Sequence, residues 1–177
     1  MLDTLITSKT RIKLLLKFFL NSHNSAYLRN LESEFGESSN AIRLELNKFE
    51  EAGLLTSKLD GNKKMFKANN KHPLFKDIQS ILMKYTGLDQ IVDEVIEKLG
   101  DVHEVYLIGD LGKGIDSPVI DLIIVGNINK SYLINLIAKT EKLIAKKIRY
   151  ITYEKEEFYT EKNITNSQYN LLLWKSK

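Results

Sequence analysis

The sequence predicts an α+β chain in two parts, an N-terminal group of three helices with a hairpin and then a small α/β domain. Three observations predict it. Apolar residues recur first at helical spacing and then in two short runs around a tight turn. The segment Asn69-Asn70-Lys71-His72-Pro73 interrupts that pattern. Beyond it, apolar runs of strand character alternate with helical ones. The expected division is 1–72, connecting helices over 73–100, and an α/β domain over 101–177.

The first helix is read from Ile12, Leu15, Leu16 and Phe19, which share one helical face. Ser8 is suited to cap its start, and Asn21-Ser22-His23-Asn24-Ser25 stops it. Leu28, Leu31 and Phe35 mark a second helix, closed at Gly36, where a left-handed residue costs least. Ser38 or Ser39 caps a third, with Ile42, Leu46 and Phe49 as its buried face and Gly53 at its end. Leu54 to Leu59 reads as a strand, Asp60-Gly61-Asn62 as a turn, and Lys63 to Ala68 as the returning strand.

In the second part, Phe75, Ile78, Ile81, Leu82 and Tyr85 mark a helix broken at Thr86-Gly87. Ile91, Val92, Val95, Ile96 and Leu99 mark another, closed by Gly100. Val105 to Ile108 reads as a strand, and Val119 to Val125 as one buried on both faces. A helix through Leu133, Leu136, Ile137, Leu143 and Ile144 precedes a third strand, Lys147 to Tyr153. The tail from Tyr169 to Trp174 is compatible with a helix, its leucines and Trp174 serving core or subunit interface.

Composition narrows the chemistry. The 177 residues include no cysteine, which excludes disulfides, thiolate metal sites and cysteine nucleophiles. No apolar run approaches the roughly 20 residues that span a bilayer, and the N-terminus lacks the pattern of a secretory leader. A cytoplasmic protein without membrane contact is expected. The net charge of +3 divides unevenly: residues 1–72 carry 12 Lys and Arg against 8 Asp and Glu, and the remainder is nearly balanced. A polyanion would therefore be met by the first part. His23, His72 and His103 have no metal-ligand spacing, and neither a nucleophile elbow nor a Walker loop is present. No cofactor and no resident metal are expected.

The run Tyr27-Leu28-Arg29-Asn30-Leu31 … Phe35-Gly36 … Ser38-Ser39-Asn40-Ala41-Ile42-Arg43 … Glu51-Ala52-Gly53-Leu54-Leu55 resembles the winged helix-turn-helix of ArsR/MarR-type transcription regulators over about residues 5–70. The resemblance implies a third helix that enters a DNA major groove, with Ser38, Ser39 and Asn40 at its reading end. Arg43 suits a guanine edge and Asn40 an adenine, and Asn47 lies on the same face. Lys58, Lys63 and Lys64, together with Lys67, are placed on the wing for phosphates. Glu45, Glu50 and Glu51 on the same helix also suit a protein-docking role, and lysines on a hairpin are common solvated edges.

A second resemblance lies in Tyr106-Leu107-Ile108-Gly109-Asp110-Leu111-Gly112-Lys113-Gly114 … Ser117-Pro118-Val119-Ile120-Asp121-Leu122-Ile123-Ile124-Val125-Gly126. It looks like the minimal nucleotidyltransferase signature, a strand ending in Gly-Ser followed by a strand with Asp-x-Asp, over about residues 88–155. The resemblance implies carboxylates two apart on a strand, holding magnesium against nucleotide phosphates. Here Asp121 takes the second aspartate's place, Val119 the first's, and Asp110 replaces the Ser. The next strand offers no carboxylate before Glu154. A rescue would bring Asp110, Asp116 and Asp121 onto one ion. Otherwise Gly109, Asp110, Lys113 and Asp121, with Gly112 and Gly114, form a remnant that receives an anion.

Taken together, the expectation is a sequence-specific regulator that binds double-stranded DNA as a homodimer, carries an inactive nucleotidyltransferase-like domain and is not an enzyme. The helices from Phe75 to Leu99 are its candidate interface, and a nucleotide or other small molecule its effector. The alternatives are a nucleotidyltransferase acting on a protein or small molecule, with the winged helix as a docking module, and an antitoxin-like interaction protein.

Overall fold

The computed structural model describes residues 2–160 and 170–176, which form two compact units, Met1–Tyr85 and Thr86–Lys177. The first opens with a short helix α1 (Leu2–Leu5) and then α2 (Lys9–Leu15), which widens into a π-helical turn over Leu16–Leu20. Ser8 caps α2 by accepting the Arg11 N–H at 3.2 Å. Ile12, Leu15, Leu16 and Phe19 are buried, as their spacing predicts, and Leu14, Phe18 and Leu20 join them through the widened turn. Each such side chain contributes about 1.5–3 kcal/mol on burial.

A two-residue strand β1 (Ser25–Ala26) leads to α3 (Leu28–Phe35), which ends on Gly36 at φ +63°. Ser38 caps α4 (Ser39–Glu51) through the Ala41 N–H at 3.3 Å, and Ile42, Leu46 and Phe49 form its buried face. Glu45 is buried among them. Arg11 reaches it from α2 with two charge-assisted bonds, 2.8 Å from Nε and 3.2 Å from Nη2, which ties α2 to α4. Strands β2 (Leu55–Asp60) and β3 (Lys63–Ala68) pair through a two-residue turn, with Asp60 opposite Lys63. Because β1 pairs with the far edge of β3, the sheet order is β1-β3-β2. Helix α5 (Phe75–Thr86) follows.

The second unit begins with α6 (Leu88–Ile91), continued by a π-helical turn over Val92–Ile96 and by α7 (Glu97–Leu99). Next come β4 (Val102–Ile108), a single turn α8 (Gly109–Gly112), β5 (Val119–Gly126), α9 (Lys130–Ile144) and β6 (Lys147–Tyr153). Helix α10 (Lys155–Thr160) and strand β7 (Leu171–Lys175) complete the described residues. The sheet order is β6-β5-β4-β7, antiparallel except for β5 and β6, which are parallel and joined across α9. Strand β5 is buried on both faces, through Ile120, Leu122 and Ile124 on one and Ile123 and Val125 on the other.

The tail differs from the helix expected over Tyr169 to Trp174. Tyr169 lies outside the described residues, and Leu171–Lys175 is a strand paired with β4. Without it the backbone of β4 would present an open edge beside a buried strand. An ion-pair cluster fixes the tail. Buried Glu104 of β4 accepts from the Tyr106 hydroxyl at 2.7 Å and from Lys175 Nζ at 2.8 Å. Burial raises the Glu104 carboxyl, but the bonds from Lys175, Tyr106 and Tyr159 outweigh it and hold the group below 4.5. Burial, reinforced by the Glu104 charge, pushes the Tyr106 phenol up.

Two small sheets with helices make a mixed α/β architecture. Among the described residues no helix is long and apolar enough to cross a membrane.

Glu45, like Glu104, is held below 4.5, chiefly by its bond from Arg11. The unfolded chain binds these protons at a higher pH than the folded one, so the stabilisation is present above the unfolded value and lost as pH falls through the folded one. Urea midpoints should therefore drop between about pH 6 and pH 3. Glu45→Gln should cost about 1–3 kcal/mol at neutral pH and flatten that drop. An unchanged pH profile in the variant would contradict the Arg11–Glu45 assignment.

Candidate functional site

Pairing of β5 on both edges aligns three residues across the second sheet. Ile108 at the end of β4 stands opposite Asp121, and Asp121 in turn is the register partner of Arg149 on β6. The guanidinium donates to the Asp121 carboxylate in parallel, Nε to Oδ1 at 2.6 Å and Nη2 to Oδ2 at 2.9 Å. The carboxylate side chain is 17% exposed and the arginine 71%. The bond to Asp121 and its charge, with a smaller contribution from Asp110, raise the Arg149 pKa further. Arg149 is thus a fixed cation on the sheet edge.

Gly109 closes the other side. It adopts φ +67°, and a Cβ built on it would fall 2.4 Å from Asp121 Oδ2. Only glycine lets the chain turn from β4 into α8 in contact with that carboxylate. Asp110 and Lys113 follow at the surface, while Gly112 and Gly114 are buried in the turn. The sequence-predicted remnant is therefore one locality: Gly109 touches Asp121, and Asp110 lies near enough to Arg149 to act on it by charge.

Magnesium, which the nucleotidyltransferase resemblance implies, does not fit these residues. Magnesium demands several oxygen ligands in near-octahedral geometry. Both Asp121 oxygens are bonded to Arg149, and Val119, two residues upstream, has no ligating atom. Asp116 does not converge with Asp110 and Asp121. It pairs with Lys146 at 3.0 Å, and Lys146 also donates to the Ser117 carbonyl at 2.6 Å. Among the described residues no group of three acidic or histidine side chains is arranged to hold an ion.

A groove of about 820 Å³ opens in the first unit between α3, α4 and the hairpin. Tyr27, Leu28, Leu46 and Phe66 contribute apolar surface, and Arg29, Arg43, Asn47, Asn62, Lys63 and Lys64 the polar lining. Of the residues expected to meet DNA, Arg43, Asn47, Lys63 and Lys64 share this lining. Ser38, Ser39, Asn40 and Lys58 lie outside the lining, Ser38 serving as the α4 cap. Sequence reasoning missed Tyr27, Arg29 and Asn62, whose places depend on how α3 packs against the hairpin. Part of the cationic charge is engaged within the unit. Lys64 Nζ bonds Glu50 at 2.6 Å and sits 5.1 Å from the Phe66 ring centre, and Lys63 Nζ lies 4.6 Å from that of Tyr27.

Two solved structures are similar to this chain. One is AF1382 from Archaeoglobus fulgidus, at 22% identity over 46% of this chain and 93% of that one, with a TM-score of 0.39. The other, from Sulfolobus solfataricus, is described as a putative nucleotidyltransferase, at 24% identity over 55% of this chain and 86% of that one, with a TM-score of 0.35. No protein-family model matches the chain, and no curated protein matches it. The expectation of a DNA-binding transcription regulator that is not an enzyme is corrected here. The one activity named among the similar structures is nucleotidyl transfer, the alternative reading. Neither likeness gives residue correspondences, so the site stands on its own geometry.

Gly109→Ala should destabilise the second unit by about 1–3 kcal/mol, from the left-handed backbone and the collision with Asp121. Thermal unfolding measures it. A variant as stable as the parent would show that the turn does not press on the carboxylate.

Proposed function

We propose that the chain is a nucleotidyltransferase acting on a protein or small molecule, with its nucleotide site where Gly109, Asp121 and Arg149 meet. The observation that carries the reading is the Gly109 turn seated on the Asp121 carboxylate, which places a tight backbone turn and a fixed guanidinium around one strand end. In such a transfer an acceptor oxygen attacks the α-phosphate and pyrophosphate leaves. A guanidinium suits the oxygens of the transferred group, because its planar donors match phosphate geometry. Asp110, exposed in the turn and close enough to act on Arg149 by charge, is the candidate to receive the acceptor's proton. The first unit is read as a winged-helix docking module for the acceptor.

One observation favours a second reading, an antitoxin-like interaction protein. Arg29, Arg43 and Lys63 line the groove and have no acidic partner among the described residues, a surface complementary to an acidic segment of another chain.

Incubation with each radiolabelled nucleoside triphosphate, with and without magnesium, tests the first reading. Covalent label on a protein or small molecule, lost in Asp121→Ala and retained in Lys142→Ala on the exposed face of α9, is expected. No transfer from any nucleotide, together with a stoichiometric acidic protein that co-purifies and is released by Arg43→Glu, would replace it with the second.

A further inference from the structure

We propose that Arg149 takes the place of a divalent ion at this site, so that nucleotide phosphates are engaged by a cation the protein itself carries. The inference rests on the transferase reading for the identity of the ligand, but its geometry is independent of turnover. Asp121 is the carboxylate placed to hold an ion, and both of its oxygens are bonded to Arg149, at 2.6 and 2.9 Å. The bidentate pairing is set by strand register, since Asp121 and Arg149 are direct partners on parallel β5 and β6. It therefore does not depend on a loop that must close.

An ion bound to Asp121 would have to displace the guanidinium or lie beside it. The first loses two charge-assisted bonds and the second sets two positive charges in contact. Nor is there a second ligand to compensate, because Val119 occupies the neighbouring position on the same face and Asp116 is held by Lys146. The arginine retains capacity for a ligand. Two of its five N–H donors face Asp121, and the side chain is 71% exposed, so the others are open to a phosphate. The ligand class is a nucleoside triphosphate bound without its divalent ion.

Two measurements on the full chain test this without reading transfer. Manganese titration followed by electron paramagnetic resonance should find no saturable bound ion in the parent. ATP binding by calorimetry should be equal in magnesium and in EDTA, and should be lost in Arg149→Gln but kept in Lys142→Gln, an exposed position on α9. Circular dichroism of Arg149→Gln checks that the exposed edge substitution leaves the fold intact. A parent that binds manganese and loses it in Asp121→Asn would overturn the proposal. ATP binding that requires magnesium, survives Arg149→Gln or is absent altogether would overturn it too. Failure of label transfer alone, with ion-independent ATP binding intact, would instead remove the transferase reading and leave this one standing.

Discussion

Every side chain at the candidate site owes its place to the pairing of β5 on both edges. Antiparallel pairing with β4 sets Ile108, and with it the Gly109 turn, opposite Asp121, while parallel pairing with β6 sets Arg149 on the other side. A slip of one residue along one edge would take that edge's neighbour away from Asp121. The apolar residues on both faces of β5 seat the strand in the core. The ion pair thus inherits its rigidity from the hydrophobic strand beneath it.

The same logic links the tail to the site. Strand β7 covers the outer edge of β4, and the Glu104–Lys175 pair holds it there. Removing that cover would free β4 to twist, and β4 carries the turn at Gly109. In the first unit, Arg11–Glu45 plays the corresponding part: it joins two helices by a charge pair set at the boundary of an apolar core. The groove lies between α3, α4 and the hairpin, with Tyr27 and Phe66 in its lining.

Much of the fold was legible in the sequence. Helical spacing located the buried faces of α2 and α4, glycine marked the end of α3, and the continuous apolar run marked β5. The tail was not legible, because Leu171-Leu172-Leu173-Trp174 carries no period that separates strand from helix, and only the open edge of β4 decides it. At the site, Gly109, Asp110 and Asp121 were legible as a broken motif. Arg149 was not: its role arises from register across β5 and β6, a relation between positions 28 apart in the chain.

The central claim is that a guanidinium, locked onto Asp121, supplies the positive charge of the site. Side-chain nitrogen-15 NMR of arginine reads this directly through the Nε–H resonance of Arg149, assigned by its loss in Arg149→Lys. The account predicts a resonance shifted away from the solvent-exposed arginines, protected from exchange with water, that moves to their position in Asp121→Asn. An Arg149 signal already indistinguishable from the exposed arginines, and indifferent to Asp121→Asn, would contradict it.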